Sequence, residues 1–168
     1  MKILYSSLFI LLIAIQVSAQ DSDKVILLQA KADNYYNQGN YSNAIIVFED
    51  LLAEQETAYG KDDIRVGETL NRLGEMYSII GKPDIADYYF QQAILIFKNS
   101  FQSEKNALEI PLLNLLKIYS YQNDSLGMQI VEKQLHSIST IFQSPNNIYP
   151  EFPLEEDTLF SPEEDMAF

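Results

Sequence analysis

Three tyrosines, Tyr35, Tyr77 and Tyr119, stand 42 residues apart, and the residues around them keep the same spacing. Gly39, Gly81 and Asn123 follow four positions after each tyrosine, and Ala44, Ala86 and Met128 come five positions later again. Phe48 and Phe90 share a column that Glu132 completes, and Leu28, Leu70 and Leu112 share another. A period of this length with its internal spacing intact is the mark of an array of stacked structural units. It constrains the fold more than any composition does, because no unit of such an array buries its apolar face alone.

Each unit reads as a helix hairpin. In the second, Leu70, Leu73, Gly74 and Tyr77 fall at i, i+3, i+4 and i+7, the stripe of an amphipathic helix. Asp63 is placed to cap that helix, which is expected from about Ile64 to Ile80. Gly81-Lys82 makes the turn, and Pro83 suits the first turn of the return helix, where a missing N–H costs nothing. Ala86, Tyr89, Phe90, Ala93 and Phe97 continue the stripe. Gly74, Ala86 and Ala93 are expected to let the two helix backbones approach, with Tyr77 and Phe90 filling the space beside them.

The first unit repeats this with Leu28, Ala32 and Tyr35, a turn at Gly39-Asn40, and Tyr41, Ala44, Phe48 and Leu51. The third has Leu112, Leu115, Leu116 and Tyr119, a turn at Asn123-Asp124, and Met128, Val131, Leu135 and Ile138. It lacks the turn glycine and the aromatic at 132, as expected of a last unit whose outer face meets solvent. Pro111 would break a helix begun near Glu104, at about 3 kcal/mol, so that helix is expected to start near Leu108 or to kink at the proline.

The ends differ in character. Lys2, an apolar run from Ile3 to Ile15 and the small residues Val17-Ser18-Ala19 form the pattern of a secretory signal peptide over residues 1–19, with cleavage after Ala19. The competing readings are a buried first helix and a retained anchor, for which the run is shorter than the roughly 20 residues a span requires. A periplasmic or secreted location is expected. No cysteine occurs, so neither a lipid-modified cysteine nor a disulfide is available. From Pro145 onward four prolines and seven acids occur without a Lys or Arg, which predicts a disordered tail over 144–168. Its apolar groups, such as Phe152-Pro153-Leu154, leave three roles open: solubilising, docking to a partner, or folding over the chain's own groove.

Charge and chemistry narrow the function. The formal charge is −13 with no basic run, which disfavours nucleic acid and anionic lipid as partners. His136 is the single histidine and the glycines form no phosphate loop, so no catalytic residue, metal site or cofactor is expected. Acidic pairs such as Glu49-Asp50 and Asp62-Asp63 are adjacent rather than convergent, and read as solvated or capping groups.

The second unit, with Leu70, Leu73-Gly74, Tyr77, Gly81, Ala86, Phe90 and Ala93, resembles the tetratricopeptide repeat family. The period, and the run from Thr69 to Tyr77, is similar to the kinesin light chain variety. The resemblance spans residues 25 to 142 and implies an all-α fold: three stacked antiparallel hairpins forming a short right-handed solenoid over residues 20–143, with units near 25–60, 64–102 and 106–142. It implies a non-enzymatic adaptor whose first helices line a concave groove for a protein or peptide. Carried through the register, the groove positions are Gln29, Asp33, Tyr36 and Asn37, then Glu68, Asn71, Arg72, Glu75 and Ile79, then Leu113, Asn114, Lys117 and Tyr121. Asn71 and Asn114 are the expected clamps on a partner's backbone, since an amide both donates and accepts. The alternatives are a structural subunit of an envelope complex and a sensor or regulator module without its output domain.

Overall fold

The computed structural model describes residues 23–100 and 105–143, and all regular structure among them is helical. Six helices follow in order: α1 over residues 23–37, α2 (Tyr41–Tyr59), α3 (Ile64–Ile79), α4 (Pro83–Asn99), α5 (Lys105–Gln122) and α6 (Ser125–Gln143). They pair as three hairpins, the stack of helical units that the period predicts. The expected signal peptide and the acidic tail lie outside the described residues.

The punctuation of the hairpins is local chemistry. Asn40 Oδ1 accepts from the Asn43 amide at 3.4 Å to open α2, and Asp63 Oδ1 accepts from the Arg65 amide at 3.0 Å to open α3. Pro83 stands in the first turn of α4. The turns inside the hairpins need a left-handed residue, supplied by Gly39 at φ 69° and Gly81 at φ 75°. In the third unit Asn123 adopts φ 56°, so an asparagine does there what glycine does in the others. Asp124 then caps α6 through the amides of Leu126 and Gly127.

α5 begins at Lys105, ahead of the first of the two expectations, a start near Leu108, and runs through Pro111. Pro111 is fully buried and stands one period after Thr69, whose side chain contacts Gln55 on the preceding hairpin. Burial of the ring offsets the lost backbone bond, so tertiary packing overrides the local rule.

The core is continuous along the stack. One cluster joins α1, α2 and α3 through Ala32, Phe48, Leu51, Leu73 and Met76, and another joins α3 to α6 through Phe90, Phe97, Leu108, Leu112 and Ile138. Leu52, Tyr77 and Tyr89 touch both clusters, with the two tyrosine rings stacked at 5.4 Å. Gly74 has a more particular role than letting backbones approach. A Cβ there would lie 2.7 Å from Cε1 of Phe90, so the glycine makes room for that ring. In the third unit Glu132 replaces the phenylalanine, and the larger Leu116 stands in the glycine's column and packs on the core.

The period also repeats hydrogen bonds between units. Tyr77 donates its phenol to Glu49 at 2.8 Å, and one period later Tyr119 donates to Asp87 at 2.8 Å and accepts from Gln91, the counterpart of Glu49, at 3.4 Å. Burial, reinforced by the adjacent carboxylates, pushes both phenols well above their ordinary pKa.

Both ends of the stack are polar where its interior is apolar. Val66, Leu73 and Met76, and one period on Leu108, Leu115 and Ile118, are buried, with Leu73 and Met76 in the cluster shared with α1 and α2. Their counterparts on α1 are Lys24, Lys31 and Asn34, all exposed. On α6 the columns of Phe48 and Phe90, and of Leu52 and Ile94, continue as Glu132 and His136, again exposed. Polar outer faces of this kind close a repeat array.

Candidate functional site

The first helices of the hairpins, α1, α3 and α5, line one side of the stack, and α3 contacts α5 directly. Between α1 and α3 lies a groove of about 1190 Å³. Its floor is formed by second-helix residues, Phe48, Gln55 and Tyr59 from α2 and Phe97 from α4, with Val25, Ile64 and Thr69 beside them. Within that floor Thr69 Oγ1 donates to Gln55 Oε1 at 2.7 Å, a buried pair that satisfies both groups.

The walls carry six of the expected positions: Gln29, Asp33, Glu68, Asn71, Arg72 and Glu75. They form a repeated motif. Gln29 Nε2 donates to Asp33 Oδ2 at 3.0 Å, and an amide–carboxylate bond of the same spacing recurs 42 residues later, from Asn71 Nδ2 to Glu75 Oε1 at 3.0 Å. Each amide is thereby oriented by a carboxylate one turn on. With its NH2 held by Glu75, Asn71 keeps a buried carbonyl oxygen, Oδ1, that accepts no hydrogen bond from the protein. A buried acceptor in this condition is destabilising by about 1–3 kcal/mol, and a ligand donor would relieve it.

The two cations of the groove are held in place. Arg65 forms a two-pronged pair with Asp63, through Nε and Nη2 at 2.7 Å each, and stacks 3.3 Å above the Tyr59 ring. That side-chain pairing holds the Asp63 carboxyl below its usual pKa and raises the guanidinium further. Arg72 lies 4.0 Å from Glu75 Oε2 and 5.0 Å above the ring of Tyr36, which brings Tyr36 to the edge of the groove. Tyr36 in turn packs edge-on against Tyr41.

The remaining positions are not gathered here. Asn37 is exposed at the end of α1 and Ile79 at the end of α3. Leu113, Asn114, Lys117 and Tyr121 lie along α5 outside the groove lining, to which α5 contributes Ala107 and Ile110. Tyr121 is 77% exposed. Asn71 and Asn114 do not form a matched pair: they are 43 residues apart, so Asn114 is the counterpart of Arg72, and Leu113 that of Asn71. Two wall residues were within reach of the register, since Ile26 and Ile110 stand one period either side of Glu68. The floor carried no such signal, because depth depends on how second helices pack.

Among the described residues no group of His, Asp and Glu is placed to hold a metal, and no helix is long and apolar enough to cross a membrane. Residues 25–99 match the family model described as tetratricopeptide repeat. No curated protein matches the chain.

Proposed function

With residues 25–99 belonging to the tetratricopeptide repeat family, whose repeats are surfaces for protein partners, we propose that this chain is an exported scaffold that takes a segment of a partner protein into the groove between α1, α3 and α5. The observation that carries this reading is the unpartnered Asn71 carbonyl oxygen set among oriented amides and carboxylates. The amide–carboxylate bond stands at the same wall positions of the first and second units. An acceptor held in this way suits a backbone N–H, which every partner sequence offers.

Export rests on the leader pattern of residues 1–19. It is tested by fractionating cells that make the chain and sequencing the N-terminus of the exported protein, which is expected to begin at Gln20. Retention in the cytosol at full length refutes it.

The groove is tested with a photo-crosslinking amino acid at Glu68, on the groove wall, and in a second protein at Tyr88, which is 57% exposed on α4. Envelope fractions are irradiated with each. A partner crosslinked from 68 and not from 88, and lost when Asn71→Ala and Arg72→Ala are added without loss of helicity, supports the groove. Equal capture from both positions moves the binding surface elsewhere.

A further inference from the structure

The groove face changes its chemistry along the stack. Between α1 and α3 its open wall carries Asp33, Glu68 and Glu75, with Glu68 exposed. The cations of that half are already engaged, Arg65 by Asp63 and Arg72 beside Glu75 and over Tyr36. On α5 the register turns this pattern over. Ile110 replaces Glu68, Leu113 replaces Asn71, and Lys117 replaces Glu75. Ile110 and Leu113 are about half exposed, at 47% and 49%, so they form an aliphatic strip beside an acidic one.

Resting on the groove as the partner site, we propose that it reads a partner segment by two features in a fixed order. A basic side chain lies over the α1–α3 half, and an aliphatic side chain lies over Ile110 and Leu113. Packed helices are about 8–10 Å apart, and a segment in the polyproline II form, with three residues per turn and about 3.1 Å per residue, presents the same face again about 9 Å on. The two features therefore stand about three residues apart. The acidic half supplies charge complementarity and the α5 strip supplies apolar burial. By the same chemistry the chain's own tail, with seven acids and no basic residue, is a poor occupant of the acidic half.

The test is fluorescence anisotropy with the exported chain, Gln20 to Phe168, and four labelled probes. The first is a Gly/Ser peptide carrying Lys-Ser-Ser-Leu. The second has Glu for the Lys, the third has Ala for the Leu, and the fourth is the peptide of residues 145–168. The first is expected to bind about tenfold or more tighter than the second, the change that one well-placed charge makes, and tighter than the other two. Glu68→Lys is expected to erase or reverse the Lys-over-Glu preference, and Leu113→Ala to erase the Leu-over-Ala preference. Both residues are exposed, and circular dichroism checks that each variant keeps its helices.

Equal binding of the Lys and Glu probes, or tighter binding of the tail peptide, overturns the two-feature code. If no probe binds while crosslinking from position 68 still captures a partner, the code fails and the groove stands. If both fail, the groove itself is refuted.

Discussion

Adding a single methyl group at Gly74 probes the packing that holds the second hairpin. A Cβ there would lie 2.7, 2.8 and 3.0 Å from Cε1, Cδ1 and Cζ of Phe90, whose ring is fully buried. Ordinary carbon contacts are about 3.5–4.0 Å, so the ring or the helix must move by nearly an ångström in a filled core. Such overpacking costs about 1–3 kcal/mol. Against it, alanine favours a helix interior over glycine by about 1 kcal/mol. Unit one accommodates Ala32 beside Phe48, so the hairpin has some room to open, and Gly74→Ala is expected to lose about 1 kcal/mol net. A double-mutant cycle with Phe90→Leu separates the two effects, because the propensity gain is common to both backgrounds and cancels. Urea unfolding followed by circular dichroism, read at unchanged slope, is expected to give a coupling of at least about 1 kcal/mol, with Gly74→Ala stabilising once the ring is gone. Equal stabilisation in both backgrounds would show that the glycine is not there for the ring.

Thr69→Val leaves Gln55 Oε1 buried without its donor, and urea unfolding is expected to show a loss of about 1–3 kcal/mol, smaller when Gln55→Leu is added. Tyr119→Phe tests the bond between units through pH. The phenol's pKa is raised in the folded chain from 10.0, so its contribution is complete below pH 10 and is lost as pH rises toward the folded value. The urea midpoint of the parent is therefore expected to fall more steeply above pH 10 than that of the variant. At the third turn, thermal unfolding of Asn123→Gly is expected to match or exceed the parent, whereas Asn123→Val costs about 1–2 kcal/mol, because φ 56° excludes a β-branched residue.

What could be read from sequence was whatever local chemistry or the period fixes. The Asp63 cap, Pro83 at the start of α4, and left-handed turns at Gly39, Gly81 and Asn123 all stand where residue type demands them. α3 was expected to run to Ile80 and ends one residue sooner, at Ile79. The start of α5 lies at Lys105, ahead of Leu108, because the ring of Pro111 is buried within the fold, a gain absent from the local sequence. The candidate site divides the same way. Wall positions such as Gln29, Asn71 and Glu75 follow from helical phase, and their amide–carboxylate bonds were legible as i, i+4 pairs. Asn114, the second expected clamp, lies on α5 outside the groove lining. The floor residues Phe48, Gln55 and Phe97 belong to second helices and reach the groove only through tertiary packing.

The contrast between the ends and the middle of the stack determines how such a protein can be lengthened. A new hairpin placed before α1 would have to sit on Lys24, which is paired with Glu54, and on Lys31 and Asn34, and one placed after α6 on Glu132 and His136, so that charged and polar groups would be taken out of water. The middle hairpin alone has apolar faces on both sides, with Val66, Leu73 and Met76 on one and Phe90 and Ile94 on the other. Duplication of that unit in tandem is therefore the route by which this sequence gains a longer groove, and every added copy brings another Glu68, Asn71 and Glu75 with it.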